Sequence, residues 1–353
     1  MPLLVSVLPT DLARSFGGGE RCAVHLHREL RARLPGWDAL ALTAWSGPPR
    51  DGAPPGWNNV IGSRRVHSND AIRMRALLHE AVRGADLVIA HQWRTRATAT
   101  LRALHGAARG GTLVAVDHGG GSETGAWLDR LPLPAADIGA VQSEYERRVT
   151  PMRARSVINM RGGIVEGVFV PPERDERDLD FLMVGRFLPH KGQALFLDAL
   201  PEGARARLMG PSGSDAPDYR DEVLRRAEQR GVEVVLDAGD ADVVAAYQRA
   251  AYTVQVPVVP GPGVHPELLG LSVLEGMACG SVPICPRGGP SAEFVRDGET
   301  GLNYEAESRD DLARVLREAL EAGRRRAELA AGALAESAHW TWGAAAAAIL
   351  AKL

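Results

Sequence analysis

Glu267-Leu-Leu-Gly-Leu-Ser-Val-Leu-Glu275-Gly-Met-Ala-Cys-Gly280 sets two carboxylates eight residues apart, with a glycine after the first and apolar residues at helical spacing around the second. Leu271, Val273, Leu274, Met277 and Ala278 predict a helix that opens at Gly270 and stops at Gly280. Glu267 then lies in the loop before the helix, and Glu275 about one turn inside it. The backbone amides of Gly270, Leu271, Ser272 and Val273 mark the positive end of that helix, where a diphosphate is favoured. Two acceptors for sugar hydroxyls beside an anion hole describe a nucleotide-sugar site. Taken alone, the pair also reads as an ordinary solvated helix residue and a loop charge.

The cations narrow the choice. Of 41 basic side chains other than histidine, two are lysines: Lys191, and Lys352 beside the C-terminus. Lys191 lies in Phe181-Leu-Met-Val-Gly-Arg186-Phe-Leu-Pro-His-Lys191-Gly192. Here an apolar strand runs into a glycine turn, and Lys191 is expected to begin the next helix. Lysine supplies a compact ammonium that follows a phosphate, where arginine supplies a planar fork. Arg186 and Lys191 are expected to bracket two phosphates with charge-assisted hydrogen bonds.

The 267–275 segment resembles the E-x7-E signature of retaining glycosyltransferases with the GT-B fold, family 4 in particular. The resemblance continues through Ser281–Gly289 and Phe294–Leu302, and Gly185–Gly192 is similar to the family's G-R-x-x-x-x-K-G element. It implies two Rossmann-like β/α/β domains facing across a cleft, and a C-terminal helix crossing back onto the first. It also implies that Glu267 meets the donor hexose and Glu275 the nucleotide ribose. A nucleoside-diphosphate sugar, with UDP-sugar favoured, is the implied co-substrate, and a hydroxyl compound the acceptor. Retention of anomeric configuration follows from the resemblance, not from the spacing.

Length and composition agree with that frame. A chain of 353 residues suits two domains of ordinary size. A hydrophobic fraction of 45% and a charged fraction of 24% are those of a globular protein. No apolar run approaches a membrane span, and the N-terminus reads as a buried strand rather than a leader. Cys22, Cys279 and Cys285 have no metal spacing, so reduced thiols in the cytoplasm are expected.

Residues 1–168 hold 21 basic and 15 acidic side chains, a balance of +6, and the remainder 20 and 29, a balance of −9. A basic first half suits an anionic or lipid-linked acceptor, with peripheral membrane contact as an alternative; solvated helix arginines are the simpler account of much of it. Nucleic acid is not expected, because no basic run is interleaved with aromatics.

Strands and helices alternate, which predicts parallel α/β layers. Expected strands are Leu3–Leu8, Ala39–Thr43, Leu87–Ala90, Thr112–Val116, Ile138–Val141 and Ser156–Ile158, then Phe181–Val184, Ala206–Met209, Val232–Leu236, Thr253–Val256 and Val282–Cys285. Helices are expected near 217–230, 241–250, 290–296 and 308–322. The charged, Pro-bearing stretch Val168–Asp180 reads as the linker. The domains are accordingly 1–168 and 169–337, with helix 338–353 completing the first.

Two elements of the first half point toward a ligand. Gly17-Gly18-Gly19 opens a helix, where glycines let the backbone approach a phosphate; the loop resembles the family's G-G-x-E. It is not a dinucleotide fingerprint, because position 22 is cysteine. His118 ends the strand Val114-Ala-Val-Asp117-His118, and the resemblance assigns it to the donor sugar or phosphate; a structural histidine fits the sequence as well. His91 ends the neighbouring strand and is the lesser candidate. His118-Gly-Gly-Gly lacks the Gly-x-Ser-x-Gly elbow a hydrolase needs.

Asp178-Leu-Asp180 and Asp240-Ala-Asp242 both match D-x-D, but one runs into a strand and the other caps a helix. Arg186, Lys191 and the helix amides are expected to neutralise the diphosphate instead, so neither metal nor cofactor is expected. The leading reading is a retaining, metal-independent hexosyltransferase. A nucleotide-sugar epimerase or phosphorylase of related fold, and a catalytically silent GT-B partner subunit, are the alternatives.

Overall fold

Leu87–His91 is buried at every position, as a strand is when it has parallel neighbours at both edges and cover on both faces. The computed structural model describes residues 1–11, 18–44, 57–59, 82–108, 110–118, 132–149, 152–259 and 267–353. They fall into two units. One comprises Met1–Gly162, a short segment ending at Leu268, and Trp342–Leu353; the other comprises Gly163–Pro262 and Leu269–Thr341.

Among the described residues, the first unit's sheet contains β1 (Leu3–Asp11), β2 (Asp38–Ala44), β3 (Trp57–Asn59), β4 (Leu87–His91), β5 (Thr112–Val116), β6 (Ala136–Val141) and β7 (Ala154–Asn159). Their order is β3-β2-β1-β4-β5-β6-β7, with parallel pairing throughout. Order therefore reverses between β1 and β4, the place where open α/β sheets bind ligands. Helices α1 (Gly18–Arg33), α2 (Arg96–Ala108) and α3 (Glu144–Val149) follow β1, β4 and β6. Val5, Val7, Val88, Ala90, Leu113 and Ala115 pack with Leu101 and Trp93 in its core.

The second unit has β8 (Leu179–Val184), β9 (Ala206–Gly210), β10 (Glu233–Leu236), β11 (Ala250–Val254), β12 (Val282–Pro286) and β13 (Leu302–Tyr304). Their order is β10-β9-β8-β11-β12-β13, and the reversal falls between β8 and β11. Its helices are α4 (Gln193–Ala199), α5 (Pro217–Gln229), α6 (Asp240–Arg249), α7 (Leu271–Ala278), α8 (Arg309–Leu320) and α9 (Arg324–Ser337). The strand period of two divides β8 between two cores. Phe181 and Met183 join Leu208, Val254, Ile284 and Leu312 on one face. Leu182 joins Tyr247, Val273, Leu274 and Met277 on the other.

The last helix, α10 (Trp342–Leu350), belongs to the first unit. Trp342 stacks on His25 of α1 with ring centroids 6.3 Å apart. A side chain on Gly162 would meet the same indole at 2.5 Å. No described helix is long and apolar enough to cross a membrane.

Several expectations change. The helix expected at 290–296 is a short 3-10 turn, Pro290–Glu293, which Pro290 opens with φ fixed. The strand expected at Thr253–Val256 starts earlier, at Ala250, and β3, β13 and α9 were not expected at all. The stretch read as a linker is tied down. Arg177 donates to the carbonyls of Tyr247 (3.0 Å), Ala250 (2.8 Å) and Cys279 (3.0 Å), and its Nε to Asp175 at 2.7 Å. The D-x-D pairs serve the fold in the same way: Asp178 is paired with Arg249 and Asp180 with Arg205, while Asp242 accepts from the amide of Gly239 at the start of α6.

Candidate functional site

The turn after β8 is shaped by two close backbone approaches. A side chain on Gly210 would lie 2.2 Å from the carbonyl of Gly185, and one on Gly192 would lie 1.9 Å from that of Val256. Gly192 also has φ +71°, so glycine is required there twice over. Between them Pro189–Lys191 forms a 3-10 turn. Lys191 thus ends a turn instead of beginning a helix, because Gly192 separates it from α4.

Three side chains fix this turn from below. Gln193 donates from Nε2 to the carbonyl of Arg186 (2.8 Å) and accepts from the Tyr219 hydroxyl (3.2 Å); Ser214 donates to the carbonyl of Phe187 (2.7 Å). Arg186 itself stays at the surface, 3.7 Å from an exposed Asp215, a pairing worth little in water. The turn is thus held by side chains beneath it, and Arg186 is left at the surface.

Helix α7 begins at Gly270, whose φ of +91° suits glycine. Its carbonyl accepts from the amides of Val273 (3.0 Å) and Leu274 (3.3 Å). The amide of Val273 is therefore committed within the helix, which narrows the expected anion-facing set to Gly270, Leu271 and Ser272. Gln255, at the carboxyl end of β11, backs Gly270: a side chain there would meet its Nε2 at 2.7 Å. Gln255 is held by Ser291 at its Oε1 (2.6 Å) and by the Tyr304 hydroxyl at its carbonyl (3.0 Å).

Glu275 is not a solvated helix charge. It is 8% exposed, and its Oε2 accepts from the hydroxyl of the fully buried Tyr247 at 3.0 Å. A side chain on Gly276 would lie 2.3 Å from Thr253 Oγ1, so α7 rests directly on β11 at this point. Arg186, Lys191, Gly270, Leu271, Ser272 and Glu275 all belong to the second unit, near the carboxyl ends of its strands.

The remaining candidates belong to the first unit. Gly18 and Gly19 open α1, and a side chain on Gly19 would meet His118 Cβ at 3.0 Å. Gly17 lies outside the described residues. Glu267 is partly buried, and the carbonyl of the next residue, Leu268, accepts from Ser143 Oγ at 2.6 Å.

His118 is engaged at both ring nitrogens. Gln142 Nε2 lies 3.2 Å from the Asp117 carbonyl, which must accept, and also 3.2 Å from His118 Nδ1. The amide therefore donates to Nδ1, which leaves the His118 hydrogen on Nε2. Nε2 points to His91 Nδ1 at 3.0 Å, so His91 carries its own hydrogen on Nε2. That atom is buried with no hydrogen-bond partner among the described residues. Burial holds His118 near a pKa of about 3 and His91 well below its ordinary value, so the pair is neutral. Cys22 Sγ and one nitrogen from each ring lie within 4.8 Å of one another. A metal ion there would first have to reverse the Gln142 amide, since histidine ligates through an unprotonated nitrogen.

Gln142, Gln193, Tyr247 and Gln255 escaped the sequence reading. Gln142 and Gln255 did leave a signal: each is a glutamine placed at the carboxyl end of an apolar strand, where a polar side chain needs a reason.

Residues 168–335 match the model of the family described as Glycosyl transferases group 1. The D-inositol 3-phosphate glycosyltransferase of Streptosporangium roseum is 31% identical over 231 residues, covering 56% of this chain and 52% of its own. A GDP-mannose-dependent alpha-(1-6)-phosphatidylinositol monomannoside mannosyltransferase of Mycolicibacterium smegmatis is 30% identical over 166 residues, covering 45% and 43%. The chain thus spans about half the length of these curated relatives. Among solved structures, sucrose-phosphate synthase of Thermosynechococcus elongatus superposes with a TM-score of 0.77 at 18% identity, covering 99% of this chain and 98% of its own. Anabaena HepE in complex with UDP and glucose superposes at 0.75, also at 18% identity, over all of both chains. The fold is GT-B.

Proposed function

We propose that this protein is a retaining, metal-independent glycosyltransferase that moves a hexosyl unit from a nucleoside-diphosphate sugar, UDP-sugar favoured, to a hydroxyl acceptor. The observation that carries this reading is the second unit's reversal between β8 and β11. There a rigid turn presents Arg186 and Lys191, and α7 presents its first amides and the Tyr247-held carboxylate of Glu275.

In this reading the largest catalytic contribution is stabilisation of charge on the departing nucleoside diphosphate. Arg186, Lys191 and the amides of Gly270, Leu271 and Ser272 supply it. Glu275 accepts from the ribose and Glu267 from the hexose, so neither serves as acid or nucleophile. The acceptor proton goes to the leaving phosphate. Asp178 and Asp180 are occupied by arginines, which supports assigning charge neutralisation to side-chain cations. His118 is engaged by Gln142 and His91 within the first unit. The two relatives are named for acting on inositol phosphate and a phosphatidylinositol mannoside; together with the basic first half, this favours an anionic acceptor. Three buried free thiols suit a cytoplasmic setting.

Calorimetric titration with UDP, GDP and ADP, each with and without EDTA, tests the proposal. One nucleotide is expected to bind at micromolar affinity, indifferent to EDTA, and to be lost in Lys191→Ala. A requirement for a divalent ion sinks the metal-free mechanism. Absence of binding by all three returns the chain to a silent scaffold.

A further inference from the structure

Glu275 sits where two helices are cross-tied. On one side the Tyr247 hydroxyl of α6 donates to Glu275 Oε2 of α7 at 3.0 Å. Further along, the guanidinium of Arg177 bridges the carbonyls of Tyr247 and Ala250, at the end of α6, to that of Cys279, at the end of α7. The Tyr247 ring is fully buried and meets the edge of Phe169 at 6.2 Å and 69°. Gly276 seats α7 on Thr253 with no room for a side chain. The tyrosine hydroxyl therefore cannot swing away from the carboxylate without unpacking both helices.

An ionised carboxylate only accepts hydrogen bonds. A ligand that faces Glu275 must bring hydroxyl donors, and a carboxylate held in one orientation takes them in one geometry. A site built to hydrogen-bond a hydroxyl discriminates strongly against an analogue lacking it, because its own buried group is then left without that partner.

We infer that Tyr247 is a positioning residue that makes the nucleotide site selective for ribonucleotides, by holding the Glu275 carboxylate in the orientation that receives the ribose hydroxyls. Donors built on 2′-deoxyribonucleotides are disfavoured for the same reason. The inference rests on the reading of Glu275 as the ribose acceptor.

The test uses the whole chain and the nucleoside diphosphate that binds it, with its 2′-deoxy and 3′-deoxy counterparts as probes. Wild type is expected to bind the ribonucleotide on the order of tenfold or more tightly than at least one deoxy analogue, as for a hydrogen bond to a charged group. In Tyr247→Phe, which keeps the ring and the packing, that ratio is expected to fall below about threefold, with affinity for the deoxy analogue little changed. Glu275→Ala is expected to abolish the ratio. A loss of affinity shared equally by all three nucleotides in Tyr247→Phe indicates a purely structural role and overturns the inference. So does an unchanged ratio. If wild type binds the three equally, the ribose role of Glu275 falls and the inference with it; if no nucleotide binds, the nucleotide-sugar reading itself is at fault.

Discussion

At the scale of single residues, Gly192 shows how a motif glycine can be required by its surroundings as well as by its own dihedral angle. Gly203 has a similar left-handed φ, +75°, but nothing among the described residues within 4 Å of where its side chain would be, whereas Gly192 has the Val256 carbonyl at 1.9 Å. Gly203→Ala is expected to cost roughly 1–2 kcal/mol, the ordinary penalty of a side chain in the left-handed region. Gly192→Ala adds a clash with backbone that cannot turn aside, roughly 1–3 kcal/mol more, and it displaces Lys191. Urea denaturation of the two variants separates the contributions. Equal midpoints would remove the carbonyl as a cause. The sequence could show that Gly192 follows the lysine, but not that Val256, 64 positions later, lies against it. Of the candidate site, the charged groups were legible because their chemistry is local. Gln193, Tyr247 and Gln255 were not, because each acts on a residue brought to it by the fold. The surroundings of His118 were hidden for the same reason: its partners, Gln142 and His91, lie at the ends of two other strands.

At the scale of elements, α7 inverts a general preference. Glycine inside a helix is usually worth replacing by alanine, a gain of about 1 kcal/mol. At Gly276 the added carbon would stand 2.3 Å from Thr253 Oγ1 and 2.9 Å from its Cβ, so Gly276→Ala is expected to destabilise and to weaken nucleotide binding by tilting Glu275. The double variant with Thr253→Ala should recover part of the loss, a coupling of about 0.5–3 kcal/mol between neighbours. Strict additivity in denaturation experiments would place the strain elsewhere. Element boundaries followed how strongly each pattern is written. The apolar strands and the long helix α8 were legible because burial writes its period into the sequence. The three-residue strands β3 and β13 are too short to show one. Helix α9 hides its core stripe, Leu329 and Ala333, among many other alanines. The strap at 168–180 read as a linker because composition reports charge, and four of its charges, Asp175, Arg177, Asp178 and Asp180, turn out to be paired.

At the scale of the whole molecule, the two units differ in what acid does to them. His27, which meets Ser6 Oγ at 2.8 Å, is lowered to about 4 by burial and by Arg31; His118 is lowered to about 3, and His91 well below 6.5, both chiefly by burial. In the unfolded chain each titrates near 6.5. As pH falls from there toward about 4, the unfolded chain takes up protons that the folded first unit refuses. Stability therefore drops, by about 1.4 kcal/mol per pH unit for each such histidine. Glu146 works in the opposite direction. Burial and the neighbouring Asp117 raise its pKa, so it binds a proton in the folded state before the unfolded one, which offsets some of the loss from the three histidines. In the second unit, Asp178, Glu222 and Asp311 are held below the ordinary range, first by hydrogen bonds from Arg249, Arg226 and the Glu305 amide. What they contribute is lost only as pH falls below the unfolded carboxylate range, near 4. Between pH 7 and 5 the first unit is thus expected to loosen while the second holds. Hydrogen exchange, corrected for the intrinsic effect of pH, should show protection falling in β1, β4 and β5 and persisting in β8, β11 and β12. His27→Gln should remove about one histidine's share of the pH slope. Equal loss of protection in both units, or earlier loss in the second, would mean that the buried histidine cluster does not set the acid limit of the fold.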